Sequence, residues 1–385
     1  MRIGFVTIWF ERGQAYITRT FLKALESHHE LFVFARTGNV FGVDKMAYGD
    51  EWEVPNLTRY PKYKIEYNDL INWVKDNKID ILVYNEEYDF ELVYRVKEAT
   101  GVKSVTYLDF YAESWEQYMG VYDQVWCSTK RAYNLVKPIC NAEYISWGVD
   151  TEMFKPEQTH KSKSNLKSIT AVDLLWKESF NDSNKCTFFH NAGWLGNGYR
   201  KMTPFVITAF HFASKENLDI SLFIHSQVGL EKLPPAVNVG GKEITMKEML
   251  DNDRLIFHVE TLQHPGLYHR GKVLIFVSKL EGLGLPLIEG LSCGLPAIVV
   301  DEPPMNEFVT DGFNGDVIPV IQRIARQDNI AFPEAILNTD VLIEKMVNYQ
   351  DRITKSKNAR KFIEDDFTLD HLRINIERAI DIWKL

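Results

Sequence analysis

Short runs of β-branched and aromatic residues alternate with stretches of helical periodicity from the first residue to about residue 146. Strands are predicted over Ile3–Trp9, Leu31–Ala35, Ile79–Tyr84, Ser104–Leu108, Gln124–Ser128 and Tyr144–Ser146. Helices are predicted over Gln14–Ser27, Leu70–Lys75, Phe90–Ala99, Glu113–Tyr122 and Arg131–Pro138. Runs such as IDILVY are apolar at nearly every position. That is the pattern of strands buried on both faces, as in a parallel sheet covered by helices. Residues 155–185 are polar and break the alternation, which marks a linker with a short helix around Val172–Lys177. The alternation then resumes. Strands fall near Cys186–Asn191, Ile220–His225, Leu255–His258, Val273–Ser278, Ala297–Val300 and Asp316–Pro319. Helices fall near Met202–Ser214, Pro286–Leu291, Asn306–Thr310 and Val341–Ile353. Gly229–Glu243 reads as an irregular insertion. Leu369–Trp383 is an amphipathic helix whose apolar face needs a partner. The fold class is therefore α/β, with two doubly wound, Rossmann-like domains: residues 1–155, with the helical tail 366–385 returning to them, and residues 156–365. Ligands bind such sheets at the carboxyl ends of the strands. Two domains with those ends facing across a cleft would place the site there.

Charge and cysteine usage narrow the partners. The 385 residues carry 44 basic and 53 acidic side chains, a net charge of −9, which disfavours a nucleic-acid partner. The four cysteines, Cys127, Cys140, Cys186 and Cys293, form neither a C-x-x-C pair nor zinc spacing. No apolar run reaches the ~20 residues of a membrane span, and MRIGFVTIWFERG lacks the small-residue cleavage site of a signal peptide. A soluble, cytoplasmic protein is expected, with peripheral membrane contact left open.

The chemistry concentrates in VSKLEGLGLPLIEGLSCGLPAIVVDEPPMNEFVTDGFNGD, residues 277–316. A buried strand runs into the turn Glu281-Gly282-Leu283-Gly284. A helix follows, with Pro286 in its first turn, where a missing N–H costs nothing. Free backbone N–H groups and the helix dipole make such a turn an anion site. Its glycines let a ligand approach the backbone closely. Glu281 precedes the helix and Glu289 lies about one turn into it, so both carboxylates can serve sugar hydroxyls beside a bound phosphate. Asp251-Asn252-Asp253, the lone Asp-x-Asp triplet, does not follow a buried strand and reads as a turn, so no metal is expected.

The pattern S-x-x-E-G-x-G-x-P-x-x-E-G-x-x-x-G-x-P, followed by P-x-x-N-E-x-V-x-x-G-x-x-G, closely resembles the donor site of retaining glycosyltransferases of family four, the E-x7-E group, which have the GT-B fold. Trp147-Gly148-Val149-Asp150, with Phe154 and Pro156, resembles a second signature of that family. The resemblance implies an N-terminal acceptor-side domain, a C-terminal donor-binding domain and transfer of a sugar from a nucleoside diphosphate to a hydroxyl acceptor, with no cofactor. It assigns donor binding to Gly13, Gly282, Leu283, Gly284, Leu285 and Glu289. Glu281 would hold the transferred sugar, and Arg200 and Lys201 the departing diphosphate. The family's histidine after the strand Ser104–Leu108 is missing, and Asp109 is the polar group there. Among the aromatics beyond it, Tyr111 and Trp115 are the candidate stacking faces for an acceptor sugar. A nucleotide-sugar epimerase, a phosphorylase or a non-catalytic nucleotide-sugar sensor remains an alternative.

Overall fold

A computed structural model describes residues 1–40, 42–156, 185–194, 200–328 and 330–384. The expected helix around Val172–Lys177 lies outside them. The chain divides into two compact units. The first comprises Met1–Asp150, Arg326–Phe332 and Asp366–Leu385; the second comprises Thr151–Ala325 and Pro333–Asp365.

Unit 1 is built on a seven-stranded parallel sheet in the order β5-β2-β1-β6-β7-β8-β9. These strands are β1 Arg2–Ile8, β2 Glu30–Arg36, β5 Leu57–Tyr60, β6 Ile81–Asn85, β7 Lys103–Leu108, β8 Gln124–Cys127 and β9 Ala142–Tyr144. The continuous apolar runs occupy the centre: all five residues of β6 are buried. Helices α1 Gly13–Leu25, α2 Tyr67–Asp76, α3 Phe90–Thr100 and α4 Lys130–Val136 supply the crossovers. A short hairpin, β3 Gly38–Val40 and β4 Val43–Lys45, follows β2. Residues Glu113–Val121 form a 3-10 helix rather than the expected α-helix.

Unit 2 carries a six-stranded parallel sheet in the order β14-β11-β10-β15-β16-β17. Its strands are β10 Cys186–Gly193, β11 Ile220–Ser226, β14 Leu255–Val259, β15 Val273–Phe276, β16 Ala297–Val300 and β17 Gly315–Ile318. The insertion after β11 contains an antiparallel hairpin, β12 Ala236–Val239 and β13 Lys242–Thr245. A second hairpin pairs β18 Val320–Ile324 with β19 Glu334–Leu337. The unit's helices are α5 Thr203–Glu216, α6 Met246–Leu250, α7 Leu285–Ser292, α8 Met305–Phe308, α9 Thr339–Val347 and α10 Arg352–Asp366.

The last helix, α11 Leu369–Asp381, buries Leu372, Ile376, Ala379 and Ile380 within unit 1. The segment Trp147–Asp150 explains its seat. Trp147 is a core ring, and a Cβ on Gly148 would collide with the Thr368 carbonyl. Val149 donates its N–H to the Phe367 carbonyl at 2.8 Å. Asp150 pairs with Lys23 of α1.

Candidate active site

In unit 2, β15 ends against Ser278, and the chain turns through Glu281, Gly282, Leu283 and Gly284 into α7. All four turn residues are buried. Gly284 holds a φ of +86° as the residue before the helix, a conformation that glycine adopts without the cost a Cβ brings. Pro286 sits in the first turn. Among the described residues, the backbone N–H groups of Gly282, Leu283, Gly284 and Leu285 donate no hydrogen bond. Four such donors at the positive end of a helix favour an anion.

Glu281 is the hub beside them. Its Oε1 accepts from Lys201 Nζ at 2.5 Å and its Oε2 pairs with Arg200 Nη1 at 2.7 Å. Arg200 also donates to the Leu280 carbonyl at 2.8 Å. The Lys201 ammonium stands 4.5 Å from the centre of the Phe276 ring, a cation–π contact. Burial works against the Glu281 carboxylate, yet the charges of Arg200 and then Lys201 outweigh it and bring the group down to about 2. Desolvation pulls Lys201 down to about 8 against the attraction of Glu281. Both members of the pair are therefore charged at neutral pH. The sequence places Arg200 and Lys201 at the start of a helix, but α5 begins at Thr203, after Met202 in the left-handed region at φ +54°. The basic pair thus lies in the preceding turn, which frees its side chains to reach back to Glu281. Glu281 thus bridges the two cations, one through each carboxylate oxygen.

Glu289, buried in α7, is oriented by two residues that sequence reasoning missed. Tyr268 donates its hydroxyl to Oε2 at 2.5 Å, and His264 Nε2 lies 3.5 Å from Oε1. Phe154 packs its ring edge-on to both, with centroids 5.1 Å from His264 and 6.1 Å from Tyr268. Phe154, from the segment after Trp147–Asp150, thus supports the glutamate's neighbours. His190 is not part of the site: it is buried, with its ring nitrogens on the Ile275 carbonyl and the Thr203 hydroxyl.

Unit 1 gathers its polar groups at the carboxyl ends of β6 and β7. Asp109 is buried and hydrogen-bonded to Glu86, which also accepts from Gln14 of α1. Burial, then the charge of Asp109 and the bond to it, hold the Glu86 carboxyl well above its ordinary range. Neighbouring carboxyl groups repel when both are charged, which favours a proton on Glu86. Glu86 went unremarked in the sequence because nothing local distinguishes Asn-Glu-Glu-Tyr from a polar loop. Gly13 is the exposed first residue of α1 and a Cβ there would meet nothing. Its approach is open, but no close contact demands a glycine.

The aromatic expectation needs correction at Tyr111. It is buried, its ring edge-on to Trp115, and its carbonyl accepts from the Ala331 N–H at 2.9 Å. Residues 330–332 run beside it, with Phe332 against Phe110 and under the Arg131 guanidinium. Trp115 is partly exposed, but one face is taken by Tyr88, whose ring centre lies 4.2 Å away. Asp251 closes α6 and Asp253 is exposed in the turn beyond. Among the described residues no group of three or more His, Cys, Asp or Glu is placed to hold a metal. No described helix is long and apolar enough to cross a membrane.

Residues 236–331, which include Tyr268, Glu281, the glycine turn and Glu289, match the family described as glycosyl transferases group 1. A 124-residue stretch is 32% identical to the GtfA subunit of UDP-N-acetylglucosamine–peptide N-acetylglucosaminyltransferase from Streptococcus pneumoniae serotype 4, covering 30% of this chain and 25% of the relative. The chain spans about a quarter of the length of the curated relatives it matches. Similarity of structure extends much further. A glycosyltransferase from Rickettsia africae superposes with a TM-score of 0.72 at 14% identity, over 100% of this chain and 98% of the other. HepE from Anabaena, solved with UDP and glucose, gives 0.66 at 12% identity over 99% of each chain. The fold is GT-B. In GT-B terms, unit 1 is the N-terminal Rossmann-like domain, and unit 2, with the matched family segment, is the C-terminal one.

Proposed function

We propose that this chain is a retaining glycosyltransferase that moves a sugar from a nucleoside diphosphate to a hydroxyl acceptor without a metal ion. The observation that carries the proposal is the Arg200–Glu281–Lys201 cluster beside the four free N–H groups that open α7. Cations and backbone donors gathered around one turn suit a diphosphate, whose negative charge grows as the sugar leaves. The printed names of the relatives, one acting with UDP-N-acetylglucosamine and one solved with UDP and glucose, make a UDP-sugar the first donor to test.

The roles follow from the contacts. Glu289 takes ribose hydroxyls, with Tyr268 and His264 fixing its carboxylate. Arg200 and Lys201 neutralise the departing diphosphate, while the N–H groups of Gly282–Leu285 hold its oxygens. As the diphosphate engages the cations, Glu281 gives up part of its double pairing and turns an oxygen toward the transferred sugar. Gly13 offers a backbone N–H to the diphosphate from α1. The bond from the anomeric carbon to the phosphate oxygen breaks, and the acceptor oxygen bonds to that carbon on the same face. The acceptor's proton passes to the leaving phosphate. Asp109, beside the Glu86 carboxyl that holds its proton more tightly than usual, is the polar group that meets a substrate hydroxyl, and Trp115 offers its remaining face to an acceptor ring. The proposal carries with it a cytoplasmic location, a nucleotide-sugar donor and a hydroxyl-bearing acceptor. A thermal-shift series with UDP-, GDP-, ADP-, CDP- and TDP-sugars tests the donor class: one nucleotide should raise the midpoint, and Lys201→Met should abolish that rise. No response to any of the five contradicts the proposal.

A further inference from the structure

Arg200 and Lys201 precede α5, whose first hydrogen bonds end on the Met202 carbonyl. The helix ladder therefore does not fix them. Met202 itself is buried at a φ of +54°. A residue with a Cβ adopts that left-handed conformation at a cost, and it persists only where its surroundings over-determine it. Contacts beyond α5 must set where the Arg200 guanidinium stands.

Two bonds tie Arg200 to the segment that carries Glu281. Its carbonyl accepts from the Lys279 N–H at 2.8 Å, and its guanidinium donates to the Leu280 carbonyl at 2.8 Å. Lys279 is held in turn by the β18–β19 hairpin. Its carbonyl accepts from the Ala335 N–H of β19 at 2.9 Å, and its ammonium stands 3.7 Å from the Glu334 carboxylate. The hairpin has an anchor of its own just beyond β16, where Arg323 of β18 donates to the buried Glu302 at 2.7 Å. Ala335 lies opposite Arg323 in the hairpin, but its N–H leaves the hairpin for Lys279. In an antiparallel pair only alternate residues exchange hydrogen bonds, so β18 and β19 do not need that N–H for their own pairing.

We infer that the β18–β19 hairpin is a positioning element of the donor site: through Ala335 and Glu334 it fixes Lys279, and through Lys279 it fixes Arg200. Arg200 is the group that meets the diphosphate, while Ala335 and Glu334 act only through the segment between. Precision matters there, because a misplacement of about 1 Å from a change far from the chemistry can cost on the order of 100-fold in rate. The inference rests on the donor role proposed for Arg200. The hairpin's hold on the turn is a property of unit 2 and can be read with no donor present.

The test uses the full chain and three variants. Ala335→Pro deletes the N–H that reaches Lys279 and spares the hairpin's pairing. Glu334→Gln keeps the side chain's size and removes the ion pair. Arg200→Met is the reference for losing the guanidinium. Calorimetry with UDP and UMP reads the site, since the second phosphate is what separates the two ligands. Arg200→Met should lose most of the preference for UDP. Ala335→Pro should reduce that preference about 10-fold, the upper range for one hydrogen bond, with UMP affinity unchanged. Glu334→Gln should reduce it about 3-fold, as suits a partly exposed ion pair. Hydrogen exchange followed by mass spectrometry without nucleotide should speed up over residues 278–281 in both hairpin variants, while β16 keeps its protection. An unchanged UDP preference in both hairpin variants where Arg200→Met loses it, or unchanged exchange over 278–281, overturns the inference. If Ala335→Pro does not fold, Glu334→Gln decides by the same two readings. An Arg200→Met chain that keeps its UDP preference would strike the donor role of Arg200 instead, and faster exchange in the hairpin variants would still support the hold on its turn.

Discussion

Replacing Glu281 by Gln removes one charge from a three-residue cluster, in which Glu281 and Lys201 are buried, without changing its size. The carboxyl stands at about 2 in the folded chain against an ordinary 4.5. A displacement of that size corresponds to about 3 kcal/mol of stability at neutral pH. The same figure follows from another direction: stripping one partner from a buried ion pair costs about 3–5 kcal/mol, because the remaining charge stays desolvated. Here the stranded charge is chiefly Lys201, whose ammonium loses the attraction that resists its burial. The sign of the pH dependence is fixed by the depressed value. The wild type holds the full contribution above about pH 4.5 and loses it as pH falls toward about 2. Urea unfolding, followed by circular dichroism at a series of pH values, reads both effects. Glu281→Gln should be less stable by about 3 kcal/mol at neutral pH, and the gap should close on acidification. A variant that unfolds with the wild type at neutral pH, or a gap that persists in acid, would refute the reasoning.

Other consequences are equally direct. Glu289→Ala should weaken UDP binding in calorimetry by about 1.5–3 kcal/mol with the far-UV spectrum unchanged, the loss expected for a hydrogen bond to a charged group. Glu86→Gln should remove a pH dependence. The folded chain keeps a proton on the Glu86–Asp109 pair that the unfolded chain releases above about 4.5, so wild-type stability should decline as pH rises through the raised value, and the variant should not follow it. Gly148→Ala should lower the melting midpoint substantially, because the added methyl meets the Thr368 carbonyl and pushes α11 from its seat; an unchanged midpoint would mean that α11 can shift at no cost.

The parallel sheets were legible because their central strands are apolar at nearly every position, as in β6 and β16. Patterns with that much contrast locate strands to within a residue or two. The hairpins β3–β4, β12–β13 and β18–β19 were not legible: their strands are only three to five residues long, and even where β19 buries Ala335 and Leu337 the run is too short to show a period. Helix α10 escaped for a related reason. Its buried positions are Lys355, Ala359 and Ile363, one per turn and one of them a lysine held by Asp316 at 2.6 Å. A stripe so thin leaves the helix polar in composition. Around the candidate site, residue types in fixed local spacing, Glu281 to Glu289, could be read from the chain. Partners brought from elsewhere, such as Tyr268 and His264 on Glu289 or Glu86 on Asp109, exist only once the sheet is assembled. Tyr111 shows the converse. An aromatic-rich stretch does not reveal which ring faces solvent, and here a segment more than two hundred residues away runs beside it.

The central claim is transfer from a nucleoside diphosphate sugar. Its most direct measurement is UDP release from UDP-N-acetylglucosamine and UDP-glucose in excess EDTA, followed by proton NMR of the product's anomeric configuration. Release that proceeds in EDTA, falls at least 100-fold in Lys201→Met by the usual weight of one transition-state donor, and gives a product with the donor's configuration is the predicted result. No release, a requirement for a divalent ion, or an inverted product would contradict the account.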